Sequence, residues 1–178
     1  MKNIIALGGS NSKNSINKIL AVYTAHEIQN AHVTVVDLND YELPLYGVDF
    51  ETEHGVPENA MKLNRVIESS DGLVISLAEH NGSYTASFKN TIDWLSRIDM
   101  KVWKDKPILL LATSPGGRGG KTILEAAKAY FPYLGGNVIA NFSLPNFYES
   151  FAENEIVNTE LREELDKNIQ LFEQDLNA

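Results

Sequence analysis

The run Pro107-Ile108-Leu109-Leu110-Leu111-Ala112-Thr113 carries five consecutive apolar residues and no alternation. A strand with one face in water alternates apolar and polar side chains; one that is apolar at every position is covered on both faces. That demand selects a parallel sheet between two layers of helices, and the rest of the chain matches it. Shorter runs bounded by turn residues recur at Asn3–Leu7, Val33–Leu38, Gly72–Ala78 and Val138–Phe142. Between them, apolar residues return at helical spacing: Ile16, Ile19, Leu20 and Tyr23; Ala60, Leu63 and Ile67; Phe88, Ile92 and Leu95 within 85–96; Ile123, Leu124, Ala127, Phe131 and Leu134; and Leu161, Leu165, Ile169, Phe172 and Leu176. Pro57 suits the first turn of the second helix. Five strands alternating with five helices predict an α/β fold with a doubly wound, five-stranded parallel sheet and helices on both faces. Segment 39–56, with Pro44 and two glycines, reads as a long loop. No repeat or linker divides the 178 residues, so a single domain over 1–178 is expected.

Acidic residues outnumber basic ones by 24 to 15. Such a surface repels nucleic-acid phosphates, so no nucleic-acid partner is expected. No stretch approaches the roughly 20 apolar residues that cross a bilayer, and Ile4–Leu7 is too short for a signal-peptide core. Cysteine is absent, which removes disulfides and thiolate ligands and fits a reducing compartment. The expectation is a cytoplasmic protein without a membrane partner.

In doubly wound sheets ligands bind beyond the carboxyl ends of the strands, where the strand order reverses. Three loops lie there. The first, Gly9-Ser10-Asn11-Ser12-Lys13-Asn14-Ser15-Ile16-Asn17, opens into a helix. A helix start offers unpaired amides and partial positive charge, an anion site that Ser10, Ser12 and Ser15 can extend and Lys13 can strengthen. An ordinary helix cap explains one such side chain, and this loop has six. Gly8-Gly9-Ser10 lacks the G-x-G-x-x-G dinucleotide spacing. The wide, hydroxyl-rich turn favours a terminal phosphomonoester over a pyrophosphate, and so FMN over NAD.

The second loop, Glu79-His80-Asn81-Gly82-Ser83-Tyr84, follows a buried strand. Gly82 admits a close planar ligand, and His80 or Tyr84 can contact a ring; the competing reading is an Asn-Gly turn that merely reverses the chain. No second ligand shares a recognisable spacing with His80, so no metal is expected. The third loop, Ser114-Pro115-Gly116-Gly117-Arg118-Gly119-Gly120, ends in Gly120-Lys121-Thr122, like a phosphate-binding P-loop. The first glycine of that motif would fall at Pro115, which has no amide to offer. A nucleoside triphosphatase is therefore the lesser reading; glycine amides facing a flat ring, with Arg118 stabilising negative charge, is the preferred one. No G-x-S-x-G elbow supports a hydrolase.

These three loops together resemble the NAD(P)H-dependent FMN reductases of the flavodoxin-like superfamily, relatives of chromate, quinone and azo reductases. That family's phosphate loop reads roughly G-S-x-R-x-x-S-x-N; Gly9, Ser10, Ser15 and Asn17 match, with Ser12 at the arginine position and Lys13 beside it. Its second signature is similar to Ala78–Thr85 followed by Lys89-Asn90-Thr91-Ile92-Asp93-Trp94, departing at Ala78 and His80. Ser114, Gly116, Gly119 and Gly120 fit its third loop, and Leu43-Pro44-Leu45-Tyr46 has a counterpart after strand two.

The resemblance implies strand order 2-1-3-4-5, bound FMN, NAD(P)H as reductant and a small-molecule electron acceptor. It also implies a homodimer or homotetramer, to whose interface Phe147–Phe151 contributes unless it packs beneath the last helix. The implied cofactor contacts are Ser10, Ser12, Lys13, Ser15, Ile16, Asn17, Glu79, His80, Asn81, Gly82, Ser83, Tyr84, Ser114, Gly116, Gly117, Arg118 and Gly119. The flavin carries the chemistry, so no side chain is expected to act as acid or base. A flavodoxin-like electron carrier and a relative that has lost its cofactor are the alternatives on the same fold.

Overall fold

A computed structural model describes all 178 residues, Met1–Ala178. Five parallel strands, β1 (Lys2–Gly9), β2 (Ala31–Val36), β3 (Gly72–Leu77), β4 (Lys106–Thr113) and β5 (Gly136–Leu144), form one sheet in the order β2-β1-β3-β4-β5. Side chains alternate between its faces, and two apolar layers result. Ile5, Leu7, Leu73, Ile75, Ile108 and Leu110 meet α3 (Glu58–Glu68), α4 (Ala86–Ile98) and α5 (Lys121–Tyr130). Ile4, Ala6, Val74, Leu109 and Leu111 meet α1 (Ile16–His26) and α7 (Thr159–Leu176). Ile108–Ala112 are all fully buried, which is the condition their composition demands.

Strand limits differ from expectation where pairing outlasts apolar composition. β1 continues through Gly8 and Gly9, which pair with Ser76 and Leu77. β2 ends at Val36 because the Asp37 side chain accepts from Asn39 N and starts a 3-10 turn at Leu38–Tyr41. Phe131 and Leu134 leave α5 for a separate 3-10 turn, since Pro132 cannot continue the helix.

The 39–56 segment is more ordered than a loop. It holds the 3-10 turn and α2 (Val48–His54), a helix with no buried residue that single-sequence periodicity cannot reveal. Glu51 in α2 takes the Arg97 guanidinium and the Tyr46 hydroxyl. α4 pins the intervening chain: Asn90 accepts from Tyr46 N at 2.8 Å and donates to Pro44 O at 3.0 Å, and Trp94 Nε1 donates to Pro44 O at 2.7 Å. The Lys89–Trp94 signature thus serves as a loop clamp. Trp94→Phe loses the hydrogen bond to Pro44 and leaves a gap where the five-membered ring of the indole was buried, so chemical denaturation should report a loss of about 2 kcal/mol.

Beyond β5, α6 (Phe147–Ser150) precedes a hairpin of β6 (Phe151–Ala152) and β7 (Glu155–Ile156). Glu153 and Asn154 take both left-handed turn positions, at φ 52° and 64°, without the Asn-Gly pair that announces such turns. Phe147 and Phe151 stack at 5.1 Å and Phe151 meets Tyr23 edge-on, whereas Tyr148 stays exposed. No helix is long and apolar enough to cross a membrane.

Candidate functional site

Strand order reverses between β1 and β3, because β2 lies to one side of β1 and β3 to the other. A cleft of about 240 Å³ opens at their carboxyl ends, lined by Ser10, Ser12, Asn14, Ser15, Ile16 and Asn17 from the first loop, Ala78–His80 from the second, Thr113–Pro115 from the third, and Tyr148. The three loops that the sequence singled out converge there. A larger groove of about 560 Å³ lies behind α1, between Val35 and Phe151. It is the weaker site, because its Asp37 is paired with Lys18 and its Glu27 with Arg162.

The first loop is built as an anion cradle. Ser15 caps α1, its hydroxyl oxygen accepting from Lys18 N at 3.1 Å, and the Ser10 hydroxyl accepts from Ser12 N at 3.1 Å. The amides of Ile16 and Asn17 have no acceptor within the chain. Each serine hydroxyl keeps its proton for a ligand. Lys13 is exposed and outside the cleft, where it contributes only charge at a distance.

Asn17 has a different place from that expected of a phosphate contact. The residue is 2% exposed and its carboxamide makes three hydrogen bonds: Oδ1 accepts from the Ser76 hydroxyl at 2.7 Å and Thr113 N at 3.0 Å, and Nδ2 donates to Thr113 O at 3.1 Å. The side chain staples the first turn of α1 to β3 and β4, and the backbone amide is free for a ligand.

In the second loop, His80 and Ser83 exchange backbone hydrogen bonds of 2.9 and 3.0 Å around Asn81 and Gly82, whose φ values are 52° and 74°. Two consecutive left-handed residues make the type I′ turn that Asn-Gly favours. Thr85 then caps α4 through Phe88 N while donating to Gly9 O at 2.9 Å, tying this turn to the end of β1. Of the residues named from sequence, Glu79 and His80 line the cleft; Asn81, Gly82 and Ser83 stand exposed beside it. Tyr84 turns inward instead. Its ring packs on Phe88 at 5.5 Å, its hydroxyl is buried without a partner, and burial pushes that phenol up to about 12.

The third loop puts Ser114 in the cleft, with Gly116 and Gly117 exposed next to it. A side chain on Gly116 would meet nothing within 4 Å. Gly119 instead serves the packing of the loop on β5: at φ 58°, its missing side chain would stand 2.4 Å from Ser143 Oγ. Arg118 reaches Thr122 Oγ1 at 2.7 Å. The amino end of α5, which the P-loop reading needs free for phosphate, is taken by Glu79, whose Oε2 accepts from Ile123 N at 3.1 Å. A carboxylate already seated there, together with Pro115, argues against the triphosphatase. No local signal links Glu79 to a residue 44 positions away.

The family described as NADPH-dependent FMN reductase matches residues 2–149, which span every element of this cleft. The chain belongs to that family. The FMN reductase relatives include a quinone reductase of Escherichia coli strain K12, 31% identical over 154 residues that cover 86% of this chain and 80% of that protein. An NADPH azoreductase of a Bacillus species is 28% identical over 136 residues, covering 76% of this chain and 72% of the relative. Among solved structures, the FerB NAD(P)H:(acceptor) oxidoreductase of Paracoccus denitrificans superposes with a TM-score of 0.76 at 25% identity, covering 99% of this chain and 98% of that one. The five-stranded order β2-β1-β3-β4-β5 is the flavodoxin-like order expected of such a reductase.

Tyr148 is not among the cofactor contacts expected from sequence, although it lies in the cleft wall. Hydrogen bonds from Asn146 N to Gly116 O and from Phe147 N to Ser114 O fold the end of β5 onto the third loop and bring the tyrosine there. Its only local sign is an exposed aromatic in a short aromatic run.

Proposed function

We propose that this chain is an NAD(P)H-dependent, FMN-containing oxidoreductase that reduces flavins, quinones or similar small oxidised acceptors, with residues 1–178 as one FMN-binding domain. The observation that carries the reading is the α1 cradle, where uncapped amides and three serine hydroxyls face one cleft at the sheet's switch point. That donor set suits a phosphomonoester. The cleft is smaller than the roughly 300–1,000 Å³ of ligand pockets that enclose a whole molecule. It suits the phosphate and its polyol chain, with the flat ring at the mouth beside the second and third loops.

FMN held there would supply the redox chemistry between NAD(P)H and the acceptor. The protein's part is binding and orientation. Ser10, Ser12, Ser15 and the amides of Ile16 and Asn17 hold the phosphate. The turn at His80–Ser83 and the backbone of Ser114–Gly117 border the ring and offer amides to negative charge. No titratable side chain of the cleft is arranged to move a proton, which fits chemistry carried by the cofactor.

The deciding experiment is a visible spectrum after adding FMN and desalting. Flavin bands that travel with the protein are expected; FMN that elutes free at high protein concentration overturns the cofactor reading. NADPH oxidation with a quinone acceptor then separates a reductase, which turns over, from an electron carrier, which does not. Ser12→Arg restores the charge usual in the family and, through charge-assisted hydrogen bonds, should tighten FMN about tenfold while leaving riboflavin unchanged. Titration by flavin fluorescence measures both.

A cytoplasmic location follows from this reading, because NAD(P)H is the reductant. Assembly as a homodimer or homotetramer is also part of it. Leu45 and Val48, at 82% and 66% exposure, are apolar side chains that an interface would cover. Sedimentation of the purified chain tests this.

A further inference from the structure

The clamp formed by Asn90 and Trp94 touches no part of the phosphate cleft, yet the segment it fixes bounds a second cavity. That cavity, of about 290 Å³, lies between the chain after β2, the first loop and the start of α4. Ser10 and Ser12 line the phosphate cleft, whereas Asn11 between them lines the second cavity. The two spaces therefore share one turn of chain as a wall. On another side stands Ser87, two residues beyond Thr85, which ties the second loop to the end of β1. The walls are held by the chain itself. Asp37 starts the 3-10 turn that carries Leu38 and Tyr41, Asn59 Nδ2 donates to Glu42 O at 3.0 Å, and Asn90 holds Pro44 and Tyr46.

Leu38, Tyr41 and Leu43 give the cavity an apolar side; Asn11, Asn39 and Glu42 give it a polar one. Asp37, the first carboxylate past β2, is already spent on Lys18 and Asn39. Glu42 is the next carboxylate that reaches the cavity, and no lysine or arginine lines it. Such a wall accepts from hydroxyl groups. A phosphate there meets one negative charge and no positive one. In doubly wound sheets an acidic side chain just beyond the second strand is the group that takes a ribose 2′-hydroxyl, and an arginine is the one that takes a 2′-phosphate.

We propose that this cavity receives the adenosine ribose of the reductant, and that Glu42 accepts from its 2′-hydroxyl and thereby favours NADH over NADPH. The proposal rests on the reductase reading above. It also gives the Lys89–Trp94 signature a purpose, since the clamp fixes the chain that carries Glu42.

The test measures kcat/KM for NADH and NADPH with one quinone acceptor in the FMN-loaded protein. Calorimetry then measures binding of ADP-ribose and of its 2′-phosphate, which differ only in that group and read the cavity without turnover. In the unchanged protein NADH should be the better reductant by about tenfold, mostly through KM, the scale of one lost hydrogen bond and one like-charge contact. ADP-ribose should bind more tightly than its 2′-phosphate by a similar factor. Glu42→Gln should bring both ratios to within about twofold by removing the charge, and Glu42→Lys should reverse them. Glu42 is exposed, so both variants should fold, which thermal unfolding checks. Their FMN affinity should match that of the unchanged protein, because Glu42 does not line the phosphate cleft.

Equal use of NADH and NADPH by the unchanged protein overturns the assignment, as do ratios that neither variant moves or ADP-ribose that does not bind. A chain that binds no FMN, or binds it and oxidises neither nucleotide, overturns the reductase reading itself, a result distinguishable from a failure of Glu42 alone.

Discussion

Asn17→Leu should lower stability by about 3–5 kcal/mol, because a side chain of similar volume would leave buried hydrogen-bonding groups without partners. The Ser76 hydroxyl, fully buried, loses its acceptor. Thr113 N loses the oxygen 3.0 Å away, and Thr113 O loses the carboxamide donor. Orphaned buried groups cost roughly 1–3 kcal/mol each, and partial relaxation keeps the sum below the simple total. For a chain of this length the melting temperature should fall by about 10 °C. The same change detaches α1 from β3 and β4, so FMN affinity should fall more than riboflavin affinity. Ser76→Ala removes only one of the three bonds and should cost about 1 kcal/mol. Denaturant unfolding of both variants checks the ordering; a loss below about 1 kcal/mol for Asn17→Leu would show that the staple is not what fixes the helix.

That residue also marks the limit of what the sequence discloses. The five strands are legible because burial on both faces leaves a compositional trace, as in Ile108–Ala112. The three loops are legible because turn and cap chemistry is local: Asn81-Gly82 names its own turn, and Ser15 names a helix start. Roles that depend on distant partners leave no such trace. Asn17 reads as one more polar residue of the phosphate loop until Thr113, 96 positions on, is seen against it. Glu79 reads as one more cofactor contact of the second loop until Ile123 appears at its carboxylate. Helix α2 escapes sequence reading for the opposite reason, since it buries nothing and so has no apolar period. The Lys89–Trp94 signature is specific as a pattern, but that it clamps Pro44 and Tyr46 is visible only in three dimensions.

Gly8→Ala isolates the other requirement of the site, the close approach of α1 to the sheet. Gly8 sits in ordinary strand conformation, paired with Ser76, so backbone freedom is not its reason. A methyl group there would stand 2.6 Å from both N and Cα of Lys18, and 2.8 Å from its Cβ. Two of those atoms are backbone in the first turn of α1, just behind the free amides of Ile16 and Asn17, and backbone cannot rotate away as a side chain can. The helix must move off the sheet, which strains the Asn17 staple. Overpacking of this kind costs about 3 kcal/mol. FMN affinity should fall at least tenfold, because the amides and the serine hydroxyls of the cradle no longer point to one place, whereas riboflavin should be less affected. Gly47→Ala is the matched control: nothing lies within 4 Å of that position, and it precedes α2 on the far side of the loop clamp. Alanine caps a helix less well than glycine, so the control should cost about 0.5–1 kcal/mol. If Gly8→Ala proves as mild as this control, α1 has room to shift, and tight helix–sheet packing is not what places the phosphate cradle.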